Sequence, residues 1–371
     1  MLRLGNLSPN VAYWLELENE STGTKLPLTI LSLDGVVPAR PVDSEGAKIP
    51  VDAISTNDLL LMPASRAEIY IRNELETGHS SEQVYILRTK GLNAGFDQWP
   101  EIQLARIVLR PSRPTNGIAL ALNVPIQETV FAGFAEELIK PQELIPPKAK
   151  GCVRDLDPSK GEHRRVTFGG ATDRGSKLGA LFGIKTEIVQ PPGREFYEEK
   201  AFMPDDTATV EASFEEYEQG DGSINWEGNG GPNHVCIHLD NKGSHKQLWV
   251  LTNTTGLLHN FHIHQMKFRL ATLSDLNDHH ITPPAEAHTC DPKTECKEPD
   301  YKLYDDNPNP KTIWHDTIPV PDGRRVFIIM SFDAPQQVGR FVYHCHILKH
   351  EDSGLMAPIE VWKSLAADFL R

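Results

Sequence analysis

Positively charged residues are scarce in this chain of 371 residues, and this shortage argues against partners that carry negative charge. Lys and Arg number 37 against 51 Asp and Glu, which leaves a formal net charge of -14. That balance argues against nucleic acid and against an anionic membrane surface as partners. No apolar run is long enough to span a bilayer. The N-terminus also lacks the charged and apolar regions of a signal peptide.

Histidine is unevenly distributed along the chain. None precedes His79, and the first two in a His-x-His spacing are His262 and His264. Residues 1–111 hold a single His and no Cys. We therefore expect that region to bind no metal and to serve as a scaffold.

The pattern of apolar residues predicts an all-β protein. Short apolar runs alternate with polar turns, and 27 Gly and 28 Pro supply many turn positions. The length suggests two domains, which we place at residues 1–111 and 163–371, joined by a Pro-rich linker over 112–162. A short helix is expected near 136–139 and a helical turn at 364–371. The clearest strand candidates in the first domain are Val11–Leu17, Thr29–Leu33, Leu59–Met62, Ile69–Ile71 and Gln83–Leu87.

Two short segments rich in imidazole, His259–His264 and His344–His350, are the most informative feature. In a β-strand, successive side chains point to opposite faces. If the two segments lie side by side, the ligand-type residues divide into two sets on opposite faces. One face collects Cys345, His259 and His350; the other collects His262, His264, His344 and His346.

The first set has the ligands of a blue-copper centre, which are two imidazoles, one thiolate and usually a weak axial partner. Leu355 and Met356 lie where that partner is expected. The second set is all imidazole, which suits copper better than magnesium or calcium. Zinc stays open as an alternative, although a lone Cys between two His is not zinc-knuckle spacing.

Two other groups of ligand-type residues are better interpreted as structural than as metal-binding. His234, Cys236 and His238 share one face of a strand but have no evident fourth ligand, so a structural strand is the better interpretation. Three more histidines occur in a polar insertion at 275–312, where a solvated loop is favoured over a surface metal site. They are His279, His280 and His288.

The imidazole-rich segments resemble the C-terminal copper signature of the multicopper oxidases, the group of laccases and bilirubin oxidases. The matching pattern is His259-x-x-His262-x-His264 with His344-Cys345-His346-x-x-x-His350-x-x-x-x-Leu355. Trp314–Thr317 and Gly339–Tyr343 add looser support, and the ending is most similar to the bacterial spore-coat laccases. The resemblance implies two cupredoxin-like Greek-key β-sandwich domains. Residues 1–111 would be the family's middle domain, and 163–371 its copper-binding domain.

The resemblance also implies a role for each ligand-type residue. The residues matching the type 1 copper ligands are Cys345, His259 and His350; His262 matches a type 2 ligand, and His264, His344 and His346 match type 3 ligands. Leu355 matches the axial position, where a side chain that does not coordinate would raise the potential, unless Met356 takes that place. Glu351 matches an acidic residue that feeds protons to the oxygen-reducing cluster, with a solvated loop carboxylate as the alternative.

The resemblance implies a further domain as well. The family's cluster draws half of its imidazoles from His-x-His motifs in an N-terminal domain, and Met1–Asn6 resembles the start of the middle domain. We therefore expect a complete type 1 site and half-encoded type 2 and type 3 sites. The leading hypothesis is an oxidoreductase that passes electrons from phenol-like or other small reductants toward O2. The alternatives are a mononuclear blue-copper electron-transfer protein and a copper-binding scaffold completed by oligomerisation.

The remaining cysteines bear on the redox compartment. Cys290 and Cys296 lie six residues apart in the polar insertion and form either a local disulfide, which implies an oxidising compartment, or two free thiols. Cys152 and Cys236 are expected to be small buried or semi-exposed residues. The family resemblance suggests a periplasmic or extracellular location.

Self-association of the isolated chain is expected, because loss of the family's first domain would uncover apolar surface on both other domains. Sedimentation velocity of the purified chain should therefore show oligomers or poor solubility. A monodisperse, stable monomer would contradict this expectation.

Overall fold

A computed structural model of the chain shows two β-sandwiches, which confirms the all-β prediction. It describes residues 1–37, 54–71, 82–94, 98–110, 155–157, 160–171, 181–189, 235–239, 246–290, 296–308 and 312–362. Several sequence-based expectations lie outside these residues. They concern His79, the helix near 136–139, Cys152, His234 and the turn at 364–371.

The first unit, within residues 1–110, consists of two sheets packed face to face. Its strands are β1 (Leu2–Gly5), β2 (Tyr13–Asn19), β3 (Lys25–Leu26), β4 (Leu28–Leu33), β5 (Ile54–Thr56), β6 (Leu59–Leu61), β7 (Arg66–Tyr70), β8 (Gln83–Lys90), β9 (Leu92–Asn93), β10 (Gln98–Trp99) and β11 (Ile102–Leu109). One sheet has the order β1-β7-β4-β5, and the other has β11-β8-β2-β3 with β6 also paired to β2. The β9 and β10 strands form a separate ribbon.

The second unit contains both ligand-rich segments. Its elements are β12 (His163–Ala171), β13 (Leu181–Val189), β14 (Val235–His238), β15 (Lys246–Asn253), β16 (His259–Ile263), β17 (Phe268–Leu270), α1 (Leu273–Asp278), β18 (Thr317–Val320), β19 (Arg325–Ser331), a 3-10 turn (Pro335–Gln337), β20 (Gly339–His344), α2 (Leu348–Glu351) and β21 (Met356–Trp362). The sheet orders are β13-β12-β15-β19-β17 and β14-β21-β20-β16-β18. The second of these sheets holds β16 and β20.

Local sequence explains the form of these elements. Along β4 every second residue is buried, as expected for a strand with one face on the core. β15 is buried at every position after Lys246, as expected for a central strand covered on both faces. α1 begins with a capping box, in which the Thr272 hydroxyl accepts from the Asp275 N–H and the Asp275 carboxylate accepts from the Thr272 N–H.

The two units share a packed interface. Four residues of the first unit belong to the apolar cluster of the second, and they are Ala12, Met62, Leu92 and Ala94. Beside this contact, Arg66 donates two hydrogen bonds to the carboxylate of Asp316, at 3.0 and 2.6 Å. Lys267 donates to the same carboxylate at 2.5 Å and to the Asp34 carbonyl at 2.8 Å. The first unit therefore contacts the second through both apolar surface and a charged network.

Three cysteines outside the ligand sets are disulfide-bonded. Cys290 and Cys296 form a disulfide. Cys236 is buried, as expected, but it too is disulfide-bonded, which its isolated position in the sequence did not indicate. None of the helices in the described part of the chain has the length and apolar content needed to cross a membrane.

The Asp316 network makes stability depend on pH. Burial alone would raise the pKa of Asp316, but hydrogen bonds from Arg66 and Lys267 outweigh it and lower the pKa from 3.8 to about 2. A carboxyl with a depressed folded-state pKa stabilises the fold above its unfolded-state pKa, and this contribution is lost as pH falls toward the folded-state value. Asp316→Asn should therefore lower the free energy of unfolding by about 2 kcal/mol at pH 7.

Urea unfolding between about pH 7 and pH 2 measures this effect. The difference between wild type and Asp316→Asn should shrink as pH falls from about 4 to about 2. Glu20→Gln is the matched control, because Glu20 accepts two hydrogen bonds from Arg106 in an exposed pair of low expected value. A constant difference across the whole pH range would contradict the prediction.

Candidate metal centre

The two imidazole-rich segments lie on neighbouring strands. β16 and β20 pair antiparallel, with His262 directly opposite His344. Directly opposed residues place their side chains on the same face of a sheet, and the next residue along each strand points to the other face. This register therefore separates His262 and His344 from Cys345, which follows the last residue of β20.

Cys345, His259 and His350 form a compact buried cluster. The Cys345 Sγ lies 3.6 Å from Nδ1 of His259 and 3.9 Å from Nδ1 of His350. The two Nδ1 atoms are 3.0 Å apart. One sulfur and two nitrogens thus face a common point.

The outward nitrogen of His259 has its own partner. The Thr255 hydroxyl donates its proton to Asn253 Oδ1 at 2.9 Å, so the hydroxyl oxygen accepts from His259 Nε2–H at 2.6 Å. This fixes the tautomer in which Nδ1 keeps its lone pair toward the cluster. The ring of Phe182 packs against His259 and His350, with centroids 5.2 and 5.0 Å away, and restricts access of water to the cluster.

The two candidates for the axial position, Leu355 and Met356, differ in orientation. Leu355 is fully buried, and its carbonyl accepts from the Cys345 N–H at 3.0 Å. Met356 pairs directly with His344 in the β20–β21 register. Its side chain therefore lies on the face of His344 and away from Cys345. This orientation argues against Met356, and Leu355 as the axial residue stays a prediction.

The second set lies on the other face of the same sheet. His262, His344 and His346 each offer a ring nitrogen within 4.8 Å of the other two. His264 adjoins this group, because its Nε2 lies 3.2 Å from Nε2 of His344. The four rings are neighbours, and five of their six pairs have ring centroids 5.1 to 5.3 Å apart.

Two members of the second set are held at the ring nitrogen that faces away from the cluster. His262 Nδ1 lies 3.0 Å from the Asp316 carbonyl and 2.8 Å from Thr317 Oγ1. His344 Nδ1 lies 3.0 Å from a carboxylate oxygen of Glu351. In both cases the arrangement leaves Nε2 for the cluster, as partners beyond the direct ligands do in metal sites.

Burial sets the protonation states of several ligand-type residues. It lowers the pKa of His262 to about 4 and that of His344 to about 3, so both rings are neutral at pH 7 and can bind a cation. It also lowers the pKa of His259. Burial raises the pKa of the Cys345 thiol to about 12. A cation is therefore needed to draw off the thiol proton, and its binding releases that proton to solvent.

The first set fits copper by its donor atoms. Atoms within 3.9 Å of one another can contact a single ion at the roughly 2.0–2.3 Å bond lengths of nitrogen and sulfur ligands. Among the described residues, no fourth His, Cys, Asp or Glu joins this group. A three-donor Cys and His set of this kind is typical of blue copper, whereas structural zinc takes four ligands.

The other ligand-type residues do not assemble into a comparable group in the described ranges. The backbone N–H of His238 donates to the Asp155 carboxylate, and the neighbouring Cys236 is disulfide-bonded. His288 contacts carboxylates through both ring nitrogens, Asp300 at 2.5 Å and Asp306 at 3.5 Å. An imidazole flanked in this way has no nitrogen left for a metal, so the structural interpretation is favoured here too.

Comparison with known proteins agrees with this geometry. The multicopper oxidase family model matches residues 204–364, which include every ligand-type residue of both sets. The chain is 28% identical over 120 residues to a laccase of Haloferax volcanii, covering 32% of this chain and 16% of that protein. It is 24% identical over 228 residues to a multicopper oxidase of Staphylococcus haemolyticus, covering 60% of this chain and 39% of that protein. The chain is therefore similar to multicopper oxidases over the region that holds both ligand sets.

Solved structures of multicopper oxidases show the same fold. The McoA enzyme of Aquifex aeolicus superimposes with a TM-score of 0.50 at 15% identity, over 97% of this chain and 54% of that one. This supports the cupredoxin-like assignment of the fold. The chain thus spans about half of that multicopper oxidase and less than two-fifths of the curated relatives.

The sequence alone did not identify three residues that contact the ligand-type residues. They are Thr255, Asn260 and Asp316, which contact His259, Cys345 and His262 respectively. Asp316 lies in the Trp314–Thr317 segment that supported the family resemblance, and Asn260 lies inside the first imidazole-rich segment. Nothing in the linear pattern indicates the direction of their hydrogen bonds.

A pair of variants tests the division into two sets. In the copper-loaded chain, Cys345→Ser should abolish the blue absorption, because the copper–thiolate bond produces it. His262→Ala should keep the blue colour and lose non-blue copper, since it removes an imidazole from the other face. Visible absorption and electron paramagnetic resonance give both readouts. A blue Cys345→Ser protein would refute the assignment.

Proposed function

We propose that this chain is a copper-dependent oxidoreductase in which Cys345, His259 and His350 hold a type 1 copper. His262 would serve as a type 2 ligand, and His264, His344 and His346 as type 3 ligands. The observation that carries the proposal is the convergence of the Cys345 sulfur with two imidazole nitrogens, 3.6 and 3.9 Å away. When bound, copper supplies one-electron transfer.

The chain itself connects the two sets. Cys345 is peptide-bonded to His344 and His346, so a covalent path runs from the buried thiol to two imidazoles on the opposite face. At the other end, His350 is 6% exposed and His259 is 0% exposed. His350 is therefore the imidazole nearer to an external reductant. Phenol-like or other small reductants would donate electrons there, and O2 would accept them at the second set.

Glu351 is proposed to hold a proton for the second set. Its carboxylate lies 3.0 Å from His344 Nδ1, and its side chain is 20% exposed, so it touches both the cluster and solvent. Burial raises the pKa of Glu351, which favours the protonated form more than in a free carboxyl. A group in this position can take a proton from water and pass it toward the imidazoles.

A mononuclear electron-transfer protein is the second candidate. Among the described residues, both metal-binding groups draw all of their donors from the second unit. The first set is complete in itself, whereas the second set has four imidazoles. If no further imidazoles join the second set, the Cys345 site would still exchange electrons but would not reduce O2. Completion of the cluster across an oligomer is the third candidate.

An oxidising compartment would suit this function. The disulfide between Cys290 and Cys296 and the disulfide-bonded state of Cys236 are both typical of proteins made outside a reducing cytosol. We accordingly propose a periplasmic or extracellular location.

Copper stoichiometry of the reconstituted chain, measured together with its visible spectrum, tests the proposal. About one blue copper per chain is expected if the Cys345 site forms alone. About four coppers per chain, with consumption of O2 in the presence of hydroquinone, would show that the second set is completed from elsewhere. Copper without any blue absorption would overturn the type 1 assignment, and Cys345→Ser loaded in parallel gives the baseline.

A further inference from the structure

One short segment of the first unit contacts the surroundings of both ligand sets. This segment, Pro63–Arg66, runs from the turn after β6 into the first residue of β7 and is called the support segment below. The Pro63 carbonyl accepts from Asn260 Nδ2 at 3.0 Å. Three residues further on, Arg66 binds the Asp316 carboxylate through two hydrogen bonds. Asn260 contacts the Cys345 side of the sheet, and Asp316 contacts the His262 side.

Asn260 links the support segment to the thiol. Its side chain is fully buried, and its Oδ1 accepts from the His346 N–H at 2.7 Å while lying 3.3 Å from the Cys345 Sγ. Both ends of the Asn260 amide are thus used, one by the backbone next to Cys345 and the other by Pro63. Hydrogen bonds around the cysteine sulfur tune a blue-copper site.

Asp316 links the support segment to the second set. Its carboxylate accepts from Arg66 and Lys267, and its own carbonyl accepts from His262 Nδ1 at 3.0 Å. Asp34 of the first unit completes the enclosure, because its carboxylate accepts from the Asp316 N–H at 3.4 Å. The peptide group that orients His262 is therefore held in place by charges from the first unit.

The support segment is itself held in a costly conformation. Ala64 has a φ of 73°, in the left-handed region that residues other than glycine seldom adopt. Its N–H donates to the Asn6 carbonyl at 3.1 Å, and its carbonyl accepts from the Arg66 guanidinium at 2.7 Å. Strain of this kind persists only where surrounding contacts determine the backbone. The support segment is consequently held in one conformation, which fixes its contacts with Asn260 and Asp316.

We infer that the first unit is more than a scaffold: through the support segment it positions Cys345 by way of Asn260 and His262 by way of Asp316. The inference rests on the proposed function for the identity of the metal. It makes Asn260, Asp316 and Arg66 positioning residues, none of which supplies a ligand. Loss of such a partner beyond the direct ligands typically weakens metal binding about 10- to 100-fold.

The Asn260 contact is tested in the copper-loaded chain with Asn260→Ala. We expect copper at the blue site to be held about tenfold less tightly against a competing chelator, with a shifted absorption band and reduction potential. Asn19→Ala is the matched control, because Asn19 is buried in the first unit and its amide is also hydrogen-bonded at both ends. If both variants keep the wild-type affinity, band and potential, the inference is wrong.

The Arg66 contact is tested with Arg66→Gln, which should weaken non-blue copper by about tenfold and leave the blue band unchanged. Arg66→Lys should recover the affinity in part, since it keeps the charge without the two-pronged geometry. Arg106→Gln is the control, because it removes a similar two-bond pair with Glu20 from an exposed surface. Equal behaviour of Arg66→Gln and Arg106→Gln would refute this half of the inference.

A metal-free measurement separates this inference from the proposed function. If the wild-type chain never turns blue, the proposed function fails, but amide hydrogen exchange at His346 still tests the Asn260 contact. Exchange there should be about tenfold faster in Asn260→Ala than in Asn19→Ala. Asn260→Ser, which keeps a short polar side chain, replaces the alanine variant if that one does not fold. Equal exchange rates would overturn the inference.

Discussion

The register between β16 and β20 is the constraint on which the rest of the site depends. With His262 opposite His344, the thiol and the second set of imidazoles fall on opposite faces of one sheet. A shift of one residue would move every side chain of one strand to the other face, mixing thiol and imidazole in both sets. Buried apolar neighbours on both strands, such as Phe261 and Tyr343, prevent such a shift, because it would expose them.

Burial then gives the donors their chemical character. The same desolvation that keeps the imidazoles neutral also keeps the Cys345 thiol protonated until a cation arrives. The two effects have opposite consequences for metal binding, since neutral imidazoles are ready ligands and a thiol is not. The cluster therefore discriminates in favour of ions that form a strong bond to sulfur, which copper does and magnesium does not.

Much of the fold and of the candidate ligand sets could be predicted from sequence, because both rest on local alternation. The period of two along a strand was enough to separate Cys345 from His344 and His346. Strand positions in the first unit were also close; the run at Gln83–Leu87, for example, lies within β8, which continues to Lys90. The ends of strands were less accurate, since they are set by turns and partner strands.

The hydrogen bonds that hold the ligand-type residues in place could not be predicted in the same way. Asn260 meets Pro63 across 197 residues, and Arg66 meets Asp316 across 250 residues. No local periodicity encodes contacts of that range. They arise only once the two units pack, and a single polar residue such as Asn260 is compatible with many environments.

The long-range pairing of the second unit also has a kinetic consequence. β14 pairs in parallel with β21, and β12 in parallel with β15, so each pair closes a long loop before it gains any contact. Chains with such topology fold slowly. During that interval Cys345, His346 and His350 are near one another by sequence alone, while His259 is still distant. Correct copper binding therefore depends on whether the ion binds before or after the strands pair, as well as on which ion binds.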